Sequence, residues 1–276
     1  MTVLTRVRML PSSTGSLPNA EPDRLNDVVE EIGDQRDNAM SFNWRRVPLG
    51  VRNATRRMRL SAGRKEVSED VWRKRGGEAW VETYWSDDRS PRRDCIIEAI
   101  RDSFGAPASV LDVGCNAAPN LRRVAAEFPG CRLVGFDINQ EAIDGAARRF
   151  AELHISAELS VGSYYDVLPS IETASIDVVL SSYALAYVPT ANLQQVLADI
   201  VRIARAGLVL AEPLAFGGTR PAGVLTVPWY DWRHDYAAVL AALGVAPERI
   251  QTFDLPTPGA AESGLLVADL RIHPAA

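Results

Sequence analysis

The stretch from Val110 to Leu121, Val-Leu-Asp-Val-Gly-Cys-Asn-Ala-Ala-Pro-Asn-Leu, leaves this chain few folds to adopt. A short apolar run ends in Asp112 and meets a small-residue turn at Gly114. A helical pattern follows, with Leu121, Val124, Ala125 and Phe128 on one face. Twenty-three residues beyond Gly114 a second apolar run, Leu133-Val134-Gly135-Phe136, ends in Asp137. Strand, tight turn, helix and carboxylate-tipped strand make the βαβ unit that houses an adenosine-containing cofactor. Asn116 and Ala118 stand where a dinucleotide-binding loop has glycine. Asparagine tolerates left-handed backbone angles and alanine is the smallest substitute, so the turn is still expected to close.

The alternation continues. Pro91 opens a helix carrying Cys95, Ile96, Ala99, Ile100 and Phe104, and Gly105 and Pro107 stop it. Asn120 is expected to cap the helix after Gly114, and a second helix is expected over 141–153. Ala157, Leu159 and Val161 alternate as a third strand, 176–180 and 208–211 read as a fourth and fifth, and a helix lies between those two. A helix over 235–243 then leads to two strands, 249–255 and 265–272, with no room for a helix between them. Such a pair must run antiparallel. The expected fold is α/β, a Rossmann-like, seven-stranded, mostly parallel sheet closed by an antiparallel C-terminal hairpin, with helices on both faces.

Residues 1–40 mix Pro, Ser, Asn and Asp without sustained periodicity and read as disordered. Residues 41–90 read as a basic, aromatic-rich helical extension or lid, and 91–276 as the main domain. Between Ser41 and Arg75 eleven Lys or Arg face three acids, although the whole chain carries a net charge of −5. The segment is therefore a local positive patch, read as a solvated face or as an attraction for phosphate or nucleic acid. Val71, Trp72, Trp80, Val81, Tyr84 and Trp85 give 67–85 an apolar helical face fit either to pack on the domain or to cover a ligand. No run reaches the roughly 18 to 20 apolar residues that span a bilayer, so no membrane partner is expected. Arg6 and Arg8 lead into Pro11-Ser12-Ser13, unlike a secretory leader. Three cysteines without ligand spacing suit a reducing, cytoplasmic setting and no metal.

Taken with "LVGFD", "SIDVVLSSYALAYVP" (175–189) and the closing hairpin, the "VLDVGCNAAPNL" stretch resembles the class I S-adenosylmethionine-dependent methyltransferases over about residues 92–272. The resemblance implies S-adenosyl-L-methionine as cofactor. It implies that Gly114 lets the backbone approach that cofactor, with Cys115 beside it. Backbone N–H groups near Asn116 would suit its carboxylate, as would Arg89, Arg92 or Arg93. Asp112 would lie near its amino group, Asp137 would accept from the two ribose hydroxyls, and Ile138 would lie on the adenine face. Ser163 stands where many family members carry an acid toward the adenine amino group, with the Tyr164 N–H as the other candidate. Ser181 and Ser182 would close on the methionine end, with Tyr183 and Tyr187 toward the acceptor.

The cofactor brings an activated methyl group, so the protein chiefly has to align an acceptor with it and exclude water. Tyr187 and His234 are the candidate catalytic residues. His234 lies in Trp-Tyr-Asp-Trp-Arg-His-Asp-Tyr (229–236), where this fold builds its acceptor pocket, although it also reads as an ordinary helix-start residue. The expected partner is a small-molecule acceptor such as a sugar or secondary metabolite, methylated on oxygen or nitrogen. Alternatives are an RNA or protein methyltransferase docking through the basic segment, and a non-catalytic cofactor-binding module. Nucleic acid is the less favoured acceptor, and an NAD-dependent oxidoreductase fits least, because the loop lacks its glycines. The sequence leaves the oligomeric state open.

Overall fold

Each of the first four parallel strands is followed by helical chain that returns to the same end of the sheet, as the sequence periods require. The computed structural model describes residues 65–86, 90–214, 224–225, 232–255 and 263–271. In chain order the described elements are α1 (Lys65–Arg73), α2 (Glu78–Trp85), α3 (Pro91–Phe104), β1 (Ser109–Val113), α4 (Pro119–Glu127), β2 (Arg132–Asp137), α5 (Gln140–Glu152), β3 (Glu158–Val161), α6 (Tyr164–Val167), β4 (Ile176–Ser182), α7 (Thr190–Ile203), β5 (Ala204–Pro213), β6 (Val224–Leu225), β7 (Trp232–Arg233), α8 (Tyr236–Ala242), β8 (Ile250–Asp254) and β9 (Ser263–Asp269). The expectation of disorder over 1–40, most of the basic segment (41–64), Arg89 and residues 229–231 lie outside the described residues.

The main sheet has seven strands in the order β3-β2-β1-β4-β5-β9-β8. β3, β2, β1, β4 and β5 are parallel, whereas β9 runs antiparallel to both β5 and β8. The expected terminal hairpin is therefore present, with β9 inserted beside β5 and β8 on the edge. Central β1 is buried along its whole length, as a strand covered on both faces must be. Its alternate side chains feed two cores. Leu111 and Val113 join Phe136, Val179, Leu208 and Leu210 under α7 and α8. Val110 joins Leu133, Val178, Leu180 and Val209 under α3, α4 and α5.

Two local expectations change. The apolar stretch over 67–85 is not continuous helix: Gly77 takes φ 105°, a backbone angle that only glycine adopts without strain, and α1 breaks from α2 there. Nor does Asn120 cap α4. Ala118 is the capping residue, because Pro119 has no N–H to lose and a preset φ for the first helical position. Asn120 turns inward instead and donates to Asp112 Oδ2 at 3.2 Å.

α2 is packed tightly on α5. A Cβ on Gly145 would sit 2.5 Å from Val81 Cγ1, so only glycine permits this approach. Trp85 meets Phe150 edge to face at 5.4 Å, Arg149 pairs with Glu82, and Gly77 N–H donates to Glu141 Oε2 at 2.5 Å. Residues preceding the sheet are thereby fixed over one end of it.

Candidate active site

The C-terminal ends of β1, β2, β3 and β4 open onto a cavity of about 230 Å³, which is where open α/β sheets take ligands. Gly114, Asp137, Ser163 and Ser182 mark the four strand ends along its wall. Glu69 and Trp72 from α1, Tyr84 from α2, and Arg92 and Arg93 from the first turn of α3 line it from the other side.

The turn after β1 is built for close approach. Gly114 has φ 68°, and a Cβ there would lie 2.5 Å from the Ala184 Cβ. Asn116 and Ala118 adopt φ 53° and 55°, the left-handed angles expected of these two substitutes for glycine. Four consecutive N–H groups are satisfied within the fold: Cys115 donates to Phe136 O, Asn116 to Asp137 Oδ2, Ala117 to Asn116 Oδ1, and Ala118 to Cys115 O. These four donors are thus engaged, and Arg92 and Arg93 are the cationic side chains on the cavity wall. Arg93 is only 2% exposed and its charge acts on Asp112. Cys115 is buried in the same wall, and burial raises its thiol well above the ordinary range.

Three carboxylates crowd the strand ends. Asp137 accepts from Asn116 N at 2.8 Å on one oxygen and from Asn139 N at 2.9 Å on the other. Each oxygen keeps a second lone pair. Burial raises its pKa while these backbone donors pull it down. Asp112 is wholly buried, which pushes its carboxyl up to about 7 against the pull of the Asn120 amide. Glu212, at the end of β5, is also pushed up to about 7 by burial. It accepts from Ser181 Oγ (2.7 Å) and from the N–H groups of Ala184, Leu185 and Ala186 (3.1, 3.1 and 3.2 Å). This cluster of donors folds the chain after β4 tightly and accompanies a φ of 55° at Tyr183, a strained angle for a bulky residue.

The strained turn puts aromatic rings on the cavity. Arg92 stacks over the Tyr183 ring at 4.6 Å, and Tyr187 meets Trp72 edge to face at 4.6 Å. On the opposite wall Tyr164 packs against Phe136 and donates its hydroxyl to Ala184 O at 2.8 Å. Ser163 Oγ donates to Asp166 Oδ2 at 2.6 Å, so toward the cavity the oxygen can only accept.

Gly114, Cys115, Asn116, Asp137, Ile138, Ser163, Tyr164 and Tyr187, singled out from the sequence, all line this cavity. Three others do not. Asp112 sits wholly buried behind Asn120, and its Oδ1 has no hydrogen-bond partner. Ser181 points away to Glu212, and Ser182 lines the cavity instead, because successive strand residues face opposite ways. His234 is 1% exposed, sits between Trp232 and Tyr236, and its Nε2 lies 3.0 Å from Val188 O. Burial lowers its pKa to about 4, so the ring is neutral and engaged in structure. Sequence reasoning missed Glu69, Asn139 and Glu212. Glu212 could have been found by the rule that exposed Asp112 and Asp137: an acid ending an apolar strand.

Residues 110–207 match the methyltransferase domain family. A solved S-adenosylmethionine-dependent methyltransferase from Aquifex aeolicus is 14% identical, with a TM-score of 0.52 over 71% of this chain and 100% of that one. Residues 110–207 form a methyltransferase domain. Magnesium protoporphyrin IX methyltransferase from Synechocystis, solved with its cofactor, is 16% identical to it, with a TM-score of 0.51 over 92% of this chain and 100% of that one. An O-methyltransferase family protein from Burkholderia thailandensis is 15% identical, with a TM-score of 0.53 over 75% and 60%. No curated protein matches the sequence.

The cofactor of this methyltransferase domain is S-adenosylmethionine. The cavity fits it chemically: Ser182 Oγ on its wall and Asp112 Oδ1 behind Asn120 are buried polar atoms without partners, as a ligand carrying an ammonium and hydroxyls requires. Among the described residues no cluster of His, Cys, Asp and Glu could hold a metal, and no helix is long and apolar enough to cross a membrane.

Proposed function

We propose that the domain methylates a small-molecule acceptor, on oxygen or nitrogen, inside the cavity between the strand ends and the α1–α2 segment. The observation that carries this reading is the Trp72–Tyr187 contact. It brings a ring from the N-terminal helices against one from the turn after β4, so the acceptor side is walled on two flanks. A site so enclosed suits a compact ligand better than a polymer.

In this reading Asp137 receives the two ribose hydroxyls on its remaining lone pairs, and Ile138 covers one adenine face. Ser163, held by Asp166, offers an acceptor to the adenine amino group, and Tyr164 walls the sugar. Asp112 takes the ammonium of the methionine part, and Arg93 with Arg92 takes its carboxylate. Bound there, the cofactor supplies an electrophilic methyl group on a sulfonium. The chain aligns the acceptor against that methyl and keeps water out, with Trp72, Tyr183 and Tyr187 as the walls. His234, buried off the cavity, does not serve as base in this arrangement; the Glu69 carboxylate on the cavity wall takes an acceptor proton where one must leave, with Tyr187 as a hydrogen-bonding wall.

Isothermal titration of the full chain with S-adenosylmethionine and S-adenosylhomocysteine tests the core of the reading. Saturable heat is expected, followed by methyl transfer to members of a sugar and phenol panel. Absence of heat at millimolar cofactor sinks it. Transfer only to RNA or protein would move the acceptor out of the small-molecule class.

A further inference from the structure

Asn139 is 1% exposed, yet every polar atom of it is engaged. Its N–H donates to Asp137 Oδ1 at 2.9 Å. Its carbonyl accepts from Ile143 N, and its side-chain Oδ1 accepts from Ala142 N at 2.9 Å, which caps α5. The amide nitrogen does something capping does not need: it donates to Trp72 O at 2.8 Å and to Arg75 O. The partners fix the orientation of this amide, because a flip would set its oxygen against two carbonyls and its nitrogen against the Ala142 N–H. One residue therefore joins the tip of β2 through its backbone, and the start of α5 and the turn that ends α1 through its side chain.

That turn carries Trp72, whose ring lies on the cavity against Tyr187 and beneath the Arg75 guanidinium. α2 is held by close packing along α5, which does not depend on Asn139. The end of α1 is a different case, since two of its carbonyls are tied down by the Asn139 amide.

We infer that Asn139 is a positioning residue that couples cofactor occupancy to closure of the Trp72 wall over the acceptor. The inference rests on the reading of Asp137 as the ribose-binding acid. Hydroxyls on Asp137 hold its carboxylate in one orientation, and that carboxylate holds the Asn139 backbone. The Asn139 amide in turn fixes Trp72 O and Arg75 O, and with them the ring that walls the acceptor. Linkage makes the effect reciprocal: a seated Trp72 turn favours the Asp137 geometry that holds the cofactor.

The test is hydrogen exchange of the full chain with and without S-adenosylhomocysteine, in wild type and in Asn139→Ser. Serine caps a helix as well as asparagine but cannot supply two amide N–H groups. In wild type the amides of 71–77 are expected to slow about tenfold or more on ligand addition, the usual size of such coupling. In Asn139→Ser that slowing should vanish and the ligand should dissociate about tenfold faster, while the amides of 143–150 stay protected. Asn139→Asp, isosteric and still a good cap, should behave like the serine variant and covers the case in which serine leaves the chain unfolded. Slowing that persists in both variants, or ligand binding to wild type with no response at 71–77, overturns the inference alone. If wild type binds no S-adenosylhomocysteine, the methyl-donor reading of Asp137 falls and the coupling falls with it.

Discussion

Asp137 Oδ2 accepts the N–H of Asn116 at 2.8 Å, so the acid ending β2 and the left-handed corner after β1 form one unit. Removing the carboxylate takes away the corner's anchor and, on the proposed reading, the acceptor for the ribose. Asp137→Ala is expected to weaken S-adenosylhomocysteine binding at least tenfold, about 1.4 kcal/mol, by titration calorimetry. Undiminished affinity would mean that the ribose is held elsewhere.

Gly114→Ala should fail in two separable ways. A left-handed angle costs an alanine about 1–2 kcal/mol of stability, which a denaturant melt reads. The added methyl also meets the Ala184 side chain on the cavity wall. Folded Gly114→Ala protein is expected to give no cofactor heat under conditions where wild type saturates.

Gly145→Ala inverts the usual helix rule. Mid-helix alanine ordinarily stabilises by about 1 kcal/mol over glycine. Here the new methyl would press on Val81, and α2 would have to lift from α5. A net loss of about 1–3 kcal/mol is expected from urea unfolding, and a gain in stability would show that α2 is loosely held.

His234 predicts acid sensitivity. Its folded pKa, about 4, lies below the ordinary histidine value, so the folded state resists protonation more than the unfolded chain does. The stability from keeping this ring neutral is present above about pH 6.5 and is lost as pH falls toward 4, by about 3 kcal/mol at most. His234→Gln should flatten that part of the stability profile. It should leave S-adenosylhomocysteine affinity at neutral pH unchanged, since the residue lies off the cavity. An unaltered acid slope would locate the sensitivity in other groups.

The order of elements was readable because apolar periods of two and near four alternate cleanly from Val110 to Ile203, and because nothing helical fits between β8 and β9. Cavity-lining positions on strand ends were readable for a related reason: Gly114 and Asp137 end their apolar runs at the edge of the sheet where the cavity opens. Adjacent positions were harder. Nothing in Ser181-Ser182 says which serine turns to the cavity, since the strand register decides it. His234 misled because proximity in sequence to the expected acceptor loop says nothing of depth. Asn139 and Glu212 act through bonds to residues 64 and 28 positions away, and such partners appear only once the chain is folded.

Cys115 stands in the wall of the cavity in which we place an alkylating cofactor. A thiolate there would be a better nucleophile than most acceptors and would take the methyl group itself. Burial, reinforced by the nearby Asp112 and Asp137 charges, keeps the sulfur protonated at neutral pH, and it rests against Asn116 O at 3.6 Å. The same buried acids and dry packing at the strand ends therefore keep the domain from becoming the substrate of the donor we place there.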